Sequence, residues 1–255
     1  MGRLPSYPAS PAAGVSRGRA VLLALLLLLG CRATDESSPA AEVRKIVDAV
    51  VEAYGGAAAL ERAEAYRTEG LLTSAREDEQ ATIVRWVRRP DRLRVEVRYP
   101  GRGEVRVARD GKAWTGPGDR ELEPAGGAFL ASMRLQAARL RLPLILRERA
   151  GSIEILKPDP EDRHVLRLDL DRGLSLLCHV DPKKHRIESV ETVHDGADPA
   201  RFRVDLGEFR WIDGVLFPFR EDLAVNGEPA STYLCREVKV NPRIPAPLFR
   251  EERDP

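Results

Sequence analysis

From Tyr66 to Tyr99 hydrophobic residues recur at every second position, and the same period resumes after residue 151; it restricts the fold more than any other feature. In "DRLRVEVRYP", Leu93, Val95, Val97 and Tyr99 fall on one face and Arg92, Arg94, Glu96 and Arg98 on the other. That alternation describes an antiparallel strand with one face packed and one wet. Turn signals separate the repeats: Asp110-Gly111, the "DPKK" run Asp181 to Lys184, Asp213-Gly214 and Asn226-Gly227. Asp-Gly and Asn-Gly favour the tight hairpins whose twist matches paired strands. The pattern predicts further strands over 152–156, 164–171, 174–181, 185–194, 201–212, 215–225 and 231–240, about eleven in all. No internal repeat accompanies them.

One helical segment precedes the strands and a second interrupts them. Val43, Ile46, Val47, Val50 and Tyr54 form one apolar stripe at helical spacing, and Gly55-Gly56 supplies the stop. A short helical piece over 57–65 follows, and Gly70 is expected to interrupt the first strand. A second segment, about 128–149, aligns Phe129, Met133, Ala137, Leu140 and Leu144, with Pro143 breaking or kinking it. The class is α+β, mainly β: a curved sheet with helices over its concave side. Such a sheet has more apolar surface than two helices seal, which makes a ligand cavity an expectation; a fully packed core is the alternative.

Composition narrows the function. Charged residues make up 32% and are nearly balanced, 41 basic against 40 acidic. Residues 1–30 hold three of the arginines and no acid, so the remainder is slightly acidic. A nucleic-acid binder carries a basic excess on one face, and none is visible. The histidines His164, His179, His185 and His194 fit no zinc spacing, and neither a nucleophile elbow, a phosphate loop nor a dinucleotide fingerprint occurs. These histidines, and Asp169, Asp171, Glu188 and Glu191, read as solvated side chains on alternating strands. The chain is therefore expected not to be an enzyme and to need neither cofactor nor metal.

The N-terminus gives an address. Residues 1–19 are polar with three arginines, Ala20 to Gly30 form an apolar run, and Cys31 follows. Eleven residues are too few to span a hydrocarbon core, which takes ~20, but they fit a signal peptide. "LLGC" (Leu28 to Cys31) resembles the bacterial lipobox. That resemblance implies cleavage before Cys31, acylation of its thiol and a lipid anchor; an ordinary signal peptide is the alternative. Arg32 follows where inner-membrane retention is associated with aspartate, so the implied location is the outer membrane, facing the periplasm. The expected organisation is signal peptide 1–30, tether 31–41, one domain 42–249 and a tail 250–255. Cys178 and Cys235 remain, either as buried free thiols or as a disulfide in an oxidising periplasm.

Three stretches together resemble LolA-like periplasmic proteins: "VVEAYGGAAALERAEAYRTEG" (Val50 to Gly70), "HVDPKKHRIESVET" (His179 to Thr192), and the C-terminal run from Arg203 to Phe249 containing "DGVLFPF". The resemblance spans nearly all of the chain after Cys31. It implies an open half-barrel of about eleven antiparallel strands with a helical lid, and an activity of carrying or receiving acyl chains, as in LolA and LolB. The implied partners are a membrane, through the anchor, and acyl chains or lipoproteins. The other reading is an envelope assembly protein that binds another protein and carries no lipid. An acyl-chain site needs an apolar, non-directional lining. The residues expected to line it are Leu93, Val95 and Val97, Leu166, Leu168 and Leu170, and Phe202, Val204 and Leu206. Phe129, Met133 and Leu140 are expected to form the lid.

Overall fold

A computed structural model describes residues 38–75, 79–118, 121–171, 173–194 and 200–250. Its N-terminal helix α1 (Pro39–Ala53) starts at Ser38, whose side-chain oxygen accepts from the Ala41 amide at 3.3 Å. Pro39 sits in the first turn, where no amide hydrogen is needed. The helix thus begins inside the stretch expected to be tether. Its stripe is buried from Val43 to Tyr54, and it ends where Gly55 adopts φ +115°. A Cβ at Gly55 would lie 2.0 Å from the Gly214 carbonyl oxygen, so only glycine permits this close approach. The short helix α2 (Gly56–Arg62) follows.

The strands are β1 (Ala65–Ser74), β2 (Gln80–Arg88), β3 (Arg92–Tyr99), β4 (Arg102–Arg109), β5 (Lys112–Pro117) and β6 (Glu123–Ala125). After the helices α3 (Gly127–Arg139) and α4 (Leu144–Glu148) come β7 (Ile153–Leu156), β8 (His164–Asp171), β9 (Leu174–Val180), β10 (Ile187–His194) and β11 (Ala200–Gly207). The last are β12 (Arg210–Ile212), β13 (Val215–Phe217), β14 (Arg220–Val225) and β15 (Glu228–Val240). Thirteen of them form one antiparallel sheet in the order β6-β5-β4-β3-β2-β1-β15-β14-β11-β10-β9-β8-β7, and β12 and β13 make a separate hairpin. Asp110-Gly111, Asp213-Gly214 and Asn226-Gly227 have positive φ at both positions, as type I′ turns require. Gly70 does not interrupt β1. It marks a register shift against β15, and a Cβ there would lie 2.2 Å from the Leu234 carbonyl oxygen. The expected strands 201–212 and 215–225 are each divided in two, at Glu208, which has φ +50°, and around Pro218.

The sheet is curled. Helix α3 packs on β4 and β5 and also on β9 and β10, yet six strands separate β4 from β10 in the sheet. Laid flat, they would be about 34 Å apart at the usual strand spacing. A 13-residue helix reaches only about 20 Å. Contact at both ends therefore requires the sheet to wrap around the helix, and since β6 and β7 do not pair, the result is an open half-barrel. Two core clusters meet beneath α3. One joins α1, α2 and α4 to β7–β10, and the other joins the inner faces of β2 and β3 to Met133 and Phe219.

Candidate functional site

Between these clusters, over β1, β2, β11, β14 and β15, the space is not filled. Two cavities adjoin there. The larger, about 270 Å³, is bordered by Leu72, Ile83, Leu135, Phe202, Val204 and Leu223 among its apolar residues. The smaller, about 100 Å³, lies toward α1, α2 and the α3–α4 junction, with Leu60, Tyr66, Val87, Leu142, Leu206 and Phe217 on its walls. Arg85, Arg139, Glu221 and Tyr233 border both.

This shared wall is polar inside an apolar chamber. On β2 the inward positions are Ala81, Ile83, Arg85 and Val87, all buried, so Arg85 occupies a core position. Glu221 is the inward residue at the start of β14 and stands directly opposite Tyr233 of β15 in the strand register. Arg139 comes from the last turn of α3. Arg85 Nη1 donates to Glu221 Oε1 at 2.7 Å, and Arg139 Nη1 donates to Glu221 Oε2 at 3.1 Å. The side chains of all three are less than a tenth exposed. Burial alone would raise the Glu221 pKa, but the Arg139 and Arg85 guanidiniums outweigh it and hold the carboxyl down to about 2. The Arg85 guanidinium also lies 4.1 Å from the centre of the Tyr233 ring, within cation–π range. Tyr66 adds a tie to the lid helix: its hydroxyl donates to the Leu140 carbonyl at the end of α3.

The sequence-predicted residues divide between cavity and core. Phe202 and Val204 border the larger cavity, and Leu206 and Leu140 the smaller. Leu93, Val95 and Val97 face inward but are packed solid against the cluster containing Met133 and Phe219. Leu166 and Leu168 are fully enclosed in the other cluster, with Leu170 packed against it. Val97 also touches a separate, charged pocket of about 200 Å³ between β3 and β4; the two adjoining cavities are bordered by the middle strands and not by β3 or β8. The lid helix is present, but its cavity face is Ser132, Leu135, Gln136 and Arg139. Phe129 and Met133 pack on the sheet instead. Their apolar stripe is what glues α3 down, which turns the next, more polar stripe toward the chamber.

Cys178 and Cys235 are free and buried and belong to different clusters, so the disulfide option is not realised. Burial pushes the Cys178 thiol up to about 12. His179 is not solvated: it is buried, with Nδ1 2.7 Å from Asp159 and Nε2 3.3 Å from Glu191. Burial opposes its protonation, yet Glu191 and Asp159 raise its pKa. Glu191 also meets Arg203 at 3.3 Å, making a cross-strand network of β9, β10 and β11 outside the chamber lining. Cys31 and the leader lie outside the described residues. The buried charges of the chamber were missed from sequence, although Arg85 within the alternation of β2 was a readable signal.

No protein-family model matches the chain, and no curated protein does. Solved structures do. A candidate outer membrane lipoprotein-sorting protein domain from Vibrio parahaemolyticus superposes with a TM-score of 0.53 at 8% identity, covering 83% of this chain and 97% of that one. A LolA superfamily protein from Nitrosomonas europaea gives a TM-score of 0.55 at 16% identity, with 81% and 96% covered. The fold is LolA-like. A DUF1329 family protein from Desulfovibrio piger shares it, with a TM-score of 0.56 at 7% identity over 82% and 97% of the two chains. Nearly the whole of each of these structures is matched. Against that scaffold, the chamber with its charged wall is the feature that this chain's own residues define.

Proposed function

We propose that this protein binds acyl chains in the chamber between the LolA-like sheet and helix α3, and that it works in the bacterial envelope, held to the outer membrane by lipid on Cys31. The observation that carries the reading is the pair of adjoining, mainly apolar cavities under a helix pinned at both ends of a curled sheet. Burial of methylene groups contributes ~0.8 kcal/mol each without demanding directional partners, and such a lining suits a chain better than a polar substrate. The charged residues in the wall are engaged with one another, and no nucleophile–base pair is set among them, which favours holding over catalysis. The lipoprotein-sorting description of the Vibrio domain agrees with an acyl cargo.

Native mass spectrometry of protein extracted from cells in mild detergent is expected to find a bound lipid; a ligand-free species alone would sink the reading. The anchor has its own test. Radioactive palmitate fed to cells should label the protein, and Cys31→Ala should abolish the label. The alternative of an envelope assembly protein draws on the two sheet edges, β6 and β7. These have only 3 and 4 residues, the short kind that natural sheets use to discourage pairing. One dominant protein crosslink with no lipid would favour it.

A further inference from the structure

The charged wall carries more positive charge than its one acid balances. Arg85, Arg139 and Glu221 together leave one guanidinium in excess, deep in a chamber where unpaired charge is costly. Two groups that border both cavities also lack a partner within the protein, as does Thr68 Oγ1 on the smaller one. Arg85 Nε and the Tyr233 hydroxyl are buried and make no hydrogen bond, while Arg85 is 4% and Tyr233 2% exposed. Both residues border both cavities. Arg106, which also reaches the larger cavity, is occupied by two bonds to Glu104 at 2.6 and 2.7 Å. The surplus charge and the unmet donors therefore coincide at one place, where the apolar cavities meet.

We infer that this wall is a head-group site, and that the ligand is a single-chain amphiphile with a monoanionic head, a fatty-acid carboxylate, accepting from Arg85 and Tyr233 while its chain fills the larger cavity. The inference rests on the acyl-chain reading and deepens it. One negative charge matches the one guanidinium that the Arg85–Glu221–Arg139 group leaves in excess. A carboxylate has acceptor lone pairs and no donor when ionised, which suits a wall of donors. The larger cavity, about 270 Å³, lies just under the ~300–1,000 Å³ usual for small-molecule sites, which suits one chain better than several. A neutral alcohol of the same length would leave the guanidinium excess unbalanced and offers the two donors only one uncharged acceptor.

Dodecanoate and dodecanol, titrated calorimetrically into delipidated full-length protein, separate head from chain. Dodecanoate should bind about tenfold or more tighter, the worth of a hydrogen bond to a charged group. Arg85→Gln should remove that gap while keeping dodecanol affinity. Tyr233→Phe, which removes the hydroxyl and keeps the packed ring, should narrow the gap and serves where Arg85→Gln fails to fold. Equal affinity of the wild-type protein for the two ligands, or a gap that neither substitution changes, would overturn the head-group site alone. Binding of neither ligand would overturn the acyl-chain reading with it.

Discussion

Glu221→Ala is expected to cost about 3–5 kcal/mol of stability, the loss typical when one partner of a buried ion pair is removed. The urea midpoint at neutral pH measures it. The size follows from what remains. Arg85 and Arg139 both point at Glu221, at 2.7 and 3.1 Å, with all three side chains buried. Without the carboxylate, two guanidiniums share a chamber with no counter-charge. Arg139→Gln should cost less, because Glu221 keeps Arg85. The double variant should cost less than the sum of the single ones, since both act on one network. A loss below about 1 kcal/mol for Glu221→Ala would mean that the triad behaves like an exposed pair. The pH profile gives a second reading. Glu221 has its folded pKa depressed from 4.5 to about 2, so its contribution is fully present above pH 4.5 and is lost as pH falls toward 2. Glu221→Ala should lack that part of the acid transition.

The triad also shows where sequence reading stops. Ile83, Arg85 and Val87 share the buried face of β2, so the odd residue is readable at its position in the alternation. Its partners are not. Arg139 ends a helix inserted after β6, and Glu221 is the second residue of β14, so only the curl of the sheet makes the three converge. The helix α1 stripe and the Asp-Gly and Asn-Gly turns were legible because local periodicity and local backbone demands determine them. The phase of α3 was not. Its apolar stripe, Phe129 to Leu140, was read correctly as a stripe, but whether a stripe meets a cavity or seals a sheet depends on tertiary packing. Likewise Leu93 and Val204 have the same inward, alternating pattern. The difference between core and lining lies in what stands opposite each: packed side chains for the first, open space for the second.

That difference yields the other large expected effect. Leu168 is fully enclosed in the core cluster of β8, so Leu168→Ala should lose about 2–5 kcal/mol through lost burial and a residual void. The variant that remains folded should still bind dodecanoate as the wild type does, because Leu168 borders neither cavity. Val204→Trp should behave in the opposite sense. Val204 is buried but lies on the wall of the larger cavity, so an indole has space to occupy, and the stability cost should stay within the ~1–3 kcal/mol of an overpacked site. Occupying that space removes the room for a chain, and dodecanoate and dodecanol binding should both disappear. Losing both, rather than only the gap between them, separates a blocked chain site from a damaged head-group site. If Leu168→Ala abolished binding while Val204→Trp preserved it, the chain would have to lie in the β8 cluster, and the larger cavity would not be its site.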